Sequence, residues 1–208
     1  MNGEAVIYHF TKKENLQSIF LEGLVCSSKF HSLGSKLRSN AIYFWLSPAD
    51  DGMGYNGNDE YECLQVSVDS DLCMVANMDL ISAAFVNFIM EKENEALYDY
   101  KRLASLYDSS AVKYEDYSIG LFRAPEVIVQ GNISPKQIKV AQISADEDSY
   151  ASNRDAYNKK IVNQITALKL LQKIAVHDDS TGLLTTYKFK DSDSFVTIEK
   201  ILERDFIL

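Results

Sequence analysis

No stretch of the 208-residue chain approaches the roughly 18 consecutive apolar residues of a membrane-spanning helix, so neither a transmembrane protein nor a membrane partner is expected. Basic charge is also scarce. Lys and Arg number 21 against 30 Asp and Glu, for a formal charge of -9 and a pI near 4.8. That balance argues against a broad basic surface gripping nucleic acid through many phosphates, and leaves room only for a local groove. The three cysteines, Cys26, Cys63 and Cys73, have no CxxC spacing, which removes the signals of a disulfide framework and of a zinc site. The three histidines, His9, His31 and His177, form no HExxH pattern, and no Ser or Cys nucleophile elbow is present. The segment DDGMGYNGND lacks the ligand alternation of an EF-hand and the residues of a phosphate loop. Hydrolase and metalloenzyme classes therefore lose support, and no metal is expected. The opening MNGEAVIYHF has no basic region leading into an apolar stretch, so cytoplasmic residence is the expectation; a host-cell destination reached by a signal-free route stays open.

What is present is globular in proportion, with 46% hydrophobic and 25% charged residues. Residues 5–11, AVIYHFT, are rich in β-formers and predict a strand. They lead into a helix carrying Leu16, Ile19, Phe20 and Leu24 at helical spacing, with Thr11 and Glu14 spaced as a capping box and Gly23 placed to end it. An irregular loop is expected over 27–40, then the strand AIYFWLS stopped by Pro48, a turn-rich loop over 49–59 and a short strand, ECLQVSV. Helical periodicity over Leu80–Leu106, broken by the charged run Glu91–Glu95, predicts one or two helices. PEVIVQGNI and KQIKVAQIS read as strands. Residues 150–176 predict a long helix with Ile161, Ile165, Leu168, Leu171 and Ile174 on its apolar face, and the tail reads as a strand pair or a strand and a helix. Strands and helices without regular alternation give an α+β class.

Several residues along these elements suit chemistry. His9 and Thr11 share one face of the first strand, where two polar groups suit a ligand; taken alone they read equally as an exposed histidine and a helix cap. Glu126 stands at the entrance to the apolar strand VIV, where a carboxylate can face a cleft, or simply water. Of the consecutive rings Tyr43, Phe44 and Trp45, at least one must face away from its neighbours, free to stack on a ligand or to pack. Arg38, Arg123 and Lys36 offer charge to a pyrophosphate, or to solvent.

Taken in order, YHFTKKENLQSIFLEGLV, IYFWLSP and RAPEVIVQGNISPKQI resemble the ADP-ribosyltransferase superfamily, and most closely its DarT-type bacterial toxins that modify DNA bases. The similarity spans about residues 5–145. It implies a split, mixed or antiparallel sheet core with flanking helices. It also implies a catalytic core over 1–149 and an extension over 150–208 packed on the same domain. Residue by residue, the resemblance makes Glu126 the catalytic carboxylate and Arg38 a functional arginine. His9, with Phe10 beside it, and Thr11 become the nucleotide-positioning group, Asn15 a nucleotide contact, and Tyr43 or Phe44 a nicotinamide-facing ring. Ala124 stands where arginine- and asparagine-modifying relatives carry Glu or Gln, which points away from arginine modification.

The implied activity is mono-ADP-ribosyl transfer with NAD+ as co-substrate and no metal. The acceptor is a DNA or RNA base in preference to a protein, and an antitoxin protein is the implied partner of a toxin or defence effector. An RNA 2′-phosphotransferase would need a basic cluster that the sequence does not offer, and a catalytically inactive NAD-fold interaction module is the rival from another class.

Overall fold

Val, Ile, Tyr, Phe and Thr at alternating positions make the first strand, β1 (Glu4–Lys12), and the second long strand, β3 (Tyr61–Asp69), which pairs with it antiparallel from Glu4–Asp69 to Lys12–Tyr61. The structure is a computed structural model describing residues 3–26, 32–48, 55, 57–91, 99–143, 156–157, 159–161, 171, 173–178, 184–190 and 195–199. The chain divides into two compact units, Met1–Ala151 and Ser152–Leu208.

The first unit also contains α1 (Leu16–Glu22), β2 (Ala41–Phe44), β4 (Cys73–Asn77), α2 (Met78–Glu91), α3 (Tyr100–Ser110), β5 (Val112–Lys113), β6 (Pro125–Gln130) and β7 (Ile138–Val140). Its strands form two sheets, ordered β1-β3-β7 and β2-β6-β4-β5. The sheets touch where Tyr8 and Trp45 exchange two backbone hydrogen bonds of 2.9 and 2.8 Å. The second unit has a meander of β8 (Ile174–Asp178), β9 (Leu184–Phe189) and β10 (Phe195–Glu199). Every strand pair among the described residues is antiparallel. The protein is thus α+β, and no helix among the described residues is long and apolar enough to cross a membrane.

Side-chain alternation builds the core of the first unit. Ala5 and Ile7 of β1 and Leu64, Val66 and Val68 of β3 cluster with Ile42 and Phe44 of β2, Cys73 and Val75 of β4, and Val127 and Val129 of β6. Packed apolar side chains of this size each contribute about 1.5–3 kcal/mol. His9 and Thr11 continue the inward row of β1 beyond Ile7. The other face of β6 carries Glu126 and Ile128, level with Ala76 and Met74 of β4 and, through Ile128, with Tyr43 of β2. Gly23 ends α1 at φ 90°, and a Cβ there would lie 2.0 Å from the Ile133 carbonyl oxygen, so the bridge from Leu24 to Ile133 requires glycine.

Some expectations need correction. Thr11 does not cap the first helix: it lies inside β1, opposite Glu62, and Asn15 precedes α1 without a side-chain capping bond, because strand pairing keeps the chain extended past Thr11. Cys73–Asn77 is a strand that no local pattern in the sequence marks. Ile174 belongs to β8, paired with Phe189, and not to a helix. Of the helix expected over 150–176, residues 150–155, 158, 162–170 and 172 lie outside the described residues, as do 27–31, 49–54 and 56 of the expected loops.

Candidate active site

A strand lying between two others and covered on both faces is expected to be apolar throughout, and β6 is buried from Pro125 to Val129. Glu126 is the exception, with only 5% of its surface exposed. A buried carboxylate needs partners. It has two, and both use one oxygen: Arg38 Nη1 lies 2.6 Å from Oε1, and the Tyr107 hydroxyl donates to the same atom at 2.7 Å. The second oxygen, Oε2, has no partner among the described residues and belongs to a residue lining a cavity. One oxygen is therefore anchored and the other is available to a ligand.

Arg38 reaches this position from the turn preceding β2. Its guanidinium carbon sits 3.8 Å from the centre of the Tyr43 ring, a cation–π arrangement, while the Tyr43 hydroxyl donates to the Arg38 carbonyl at 2.9 Å. Tyr43 thus holds the residue at both ends. Arg38 Nη1 also lies 3.5 Å from the Tyr107 oxygen, and its Nε is buried without a partner among the described residues.

Burial pushes the Glu126 carboxyl above the ordinary carboxylate range, while Arg38 and then the Tyr107 hydroxyl act in the opposite direction. Burial also works against the Arg38 charge, but Glu126, Tyr107 and Tyr43 outweigh it and hold the guanidinium protonated. The Tyr107 hydroxyl is raised, first by burial and then by Glu126, so it stays a donor. Removing that donor with Tyr107→Phe is expected to move the Glu126 titration to still higher pH, read from its carboxyl carbon by NMR. An unmoved titration would show that the hydroxyl does not serve the carboxylate.

His9 lies on the neighbouring sheet, and its imidazole packs edge-on against Phe44 with ring centres 5.6 Å apart. Burial lowers its pKa, with the bond to Tyr43 opposing, so the ring is held toward its neutral form. Its Nδ1 lies 3.0 Å from the Tyr43 carbonyl oxygen. A carbonyl only accepts, so Nδ1 carries the proton, and Nε2 of the neutral ring is left as an acceptor.

His9, Phe10, Tyr43, Phe44, Trp45, Tyr55 and Glu126 line one cavity of about 140 Å³. A cavity of about 150 Å³ holds a benzene ring, so this space is sized for one aromatic ring. The structure therefore brings five of the residues singled out in the sequence, His9, Phe10, Tyr43, Phe44 and Glu126, to one cavity, and sets Arg38 directly on Glu126. Thr11 and Asn15 do not line it; the Asn15 amide lies 3.4 Å from the Thr11 hydroxyl. Arg123 forms a two-point ion pair with Asp79 on α2, and the Lys36 side chain is exposed.

Tyr107 was not apparent from sequence. It lies on the buried face of α3 with Leu103 and Ala104, where it reads as a core ring, and no spacing marks its pairing with Glu126. Trp45, the third of the consecutive rings singled out in the sequence, and Tyr55, which no sequence signal marked, complete the lining. No protein-family model, curated protein or solved structure matches the chain.

Proposed function

We propose that this protein is an NAD-dependent mono-ADP-ribosyltransferase of the superfamily its motifs resemble, and that its two-sheet unit is a form of that fold. The observation that carries this reading is the division of Glu126: Oε1 is held by Arg38 and Tyr107, Oε2 has no partner among the described residues, and the residue lines an aromatic cavity sized for one ring. NAD supplies a glycosidic bond whose cleavage releases nicotinamide with the bonding electron pair and builds positive charge at the ribose carbon. An acceptor atom then bonds to that carbon and gives up its proton.

The chain's residues fit each demand. Phe44, Tyr43 and Trp45 offer apolar walls to the nicotinamide ring. Neutral His9 offers Nε2 to a ribose hydroxyl. Glu126 Oε2 accepts a second hydroxyl and brings negative charge to the reacting carbon, and its fixed partners mean that little reorganisation is needed as charge develops. A nucleic-acid base is the proposed acceptor. The acidic surface is compatible with it, because one extruded base in a narrow site needs few phosphate contacts. By the same analogy the protein acts as a toxin or defence effector restrained by an antitoxin protein.

The test incubates the protein with labelled NAD and separate pools of DNA, RNA and protein. Nicotinamide release with label on nucleic acid is expected; label on protein alone would move the acceptor, and no turnover with any pool would sink the enzymatic reading. The same assay should show an acidic limb. Activity needs Glu126 ionised, so it is present above the raised Glu126 pKa and lost as pH falls through it, at a pH above that of an ordinary carboxylate.

A further inference from the structure

The turn carrying Arg38 is an awkward piece of chain. It is bracketed by two non-glycine residues in the left-handed region, Leu33 at φ 53° and Asn40 at φ 59°, and Leu33 in particular has no local hydrogen bond of its side chain to favour that conformation. Something must hold such a turn in place. The contacts converge on Asp108, in the last turn of α3. Its Oδ1 accepts from the Ser35 hydroxyl at 2.5 Å and the Leu37 N–H at 3.3 Å, and its Oδ2 accepts from the Lys36 N–H at 2.7 Å. The Ser35 oxygen in turn accepts from the Arg38 N–H at 3.1 Å, and Ser35 is 2% exposed. A relay thus runs from the Arg38 backbone through Ser35 to Asp108, in which each bond polarises the next.

Helix electrostatics make this placement costly. A carboxylate near a helix C-terminus faces the negative end of the dipole, so its position there is unfavourable unless donors from elsewhere compensate. Here they come from the turn. The preceding residue on the same helix, Tyr107, donates to Glu126. Adjacent residues on one helix point about 100° apart, which is how one turn of α3 reaches both the strand carrying the carboxylate and the turn carrying its guanidinium partner.

We propose that Asp108 is a positioning residue: through Ser35 and the 35–38 backbone it fixes Arg38 against Glu126, so that α3 sets both members of the ion pair. The kinetic part of this proposal rests on the transferase reading, but its geometry does not, and two kinds of measurement separate them.

The experiment uses the full chain with Asp108→Ala and Asp108→Asn, alone and combined with Arg38→Ala. Asn keeps an acceptor for Ser35 but cannot accept from the Lys36 N–H on its second atom, so an intermediate effect is expected. In Asp108→Ala, the Lys36 to Arg38 amides should exchange faster while those of Val127 to Val129 hold. The Glu126 carboxyl carbon should titrate at higher pH, because Arg38 is the group that opposes burial there. The direct effect of deleting the Asp108 charge has the opposite sign, so a Glu126 titration that moves down or stays overturns the proposal whether or not the protein turns NAD over. Where it does, kcat should fall about 10- to 100-fold, as a misplacement near 1 Å would produce, with the NAD KM within twofold. Adding Asp108→Ala to Arg38→Ala should then cost nothing more, and additive losses would show that Asp108 does not act through Arg38.

Discussion

Replacing Glu126 with Gln is expected to lower kcat for nicotinamide release by about 10²- to 10³-fold, the scale of removing one preorganised electrostatic group from an active site, while the NAD KM changes little. Gln matches Glu in shape. Its carbonyl can still accept from Arg38 and Tyr107 where Oε1 does now, so the anchored side of the group survives. What disappears is the charge at Oε2, the oxygen with no partner among the described residues, and charge acts on the transition state far more than on bound substrate. Loss confined to kcat would place the role of Glu126 in the chemical step. A rise in KM with kcat preserved would make it a binding group only, and full activity would remove it from the mechanism. The substitution also leaves Arg38, whose side chain is 13% exposed, without a counter-charge. The comparison therefore belongs at a temperature where both proteins are folded.

How far the sequence disclosed this site depends on the physical range of each signal. Strand alternation is local, so it puts His9 and Thr11 on one face of β1 and marks Glu126 as the acid entering an apolar strand, but each reads equally well as an unremarkable residue. Phe10, Tyr43 and Phe44 are selected as site residues only by the order of motifs that carries the resemblance. The pairing of Arg38 with Glu126 crosses 88 positions and that of Tyr107 crosses 19, with helix packing in between, so no spacing records either. Asp108 was invisible for a further reason, since its partners are mostly backbone N–H groups, which any sequence supplies.

The fold shows the same division. β4, with Met, Ala and Asn among its five residues, has little intrinsic preference for a strand and takes that form between β6 and β5. Thr11 and Glu14 have the spacing of a helix cap, yet the pairing of β1 with β3 continues to Lys12 and holds Thr11 extended. Ile174 falls in register with the apolar face of the preceding helical pattern, but pairing with Phe189 decides its state. In each case tertiary pairing overrode a local signal.

Arg38→Met is expected to destabilise the fold by about 3–5 kcal/mol, the range for removing one partner of a buried ion pair, and the double variant Arg38→Met with Glu126→Leu should recover most of that loss. The pair is nearly enclosed, with side-chain exposures of 13% and 6%. Desolvation of two such charges consumes most of their mutual attraction, so the pair adds little net stability over apolar residues of similar volume, whereas a lone Glu126 keeps the whole penalty. Without Arg38, burial should push Glu126 further above its unfolded pKa, so the folded state binds the extra proton. The destabilisation should accordingly be least below the unfolded carboxylate pKa and grow as pH rises toward the raised folded value. Thermal or urea unfolding of the wild type, Arg38→Met, Glu126→Leu and the double variant across that window reads both the magnitude and the sign. A double variant no more stable than Arg38→Met would mean that the ion pair itself, and not the relief of a stranded charge, stabilises the fold. The expected recovery, with catalysis still absent, would instead mark Arg38 and Glu126 as a pair that the fold can do without and the chemistry cannot.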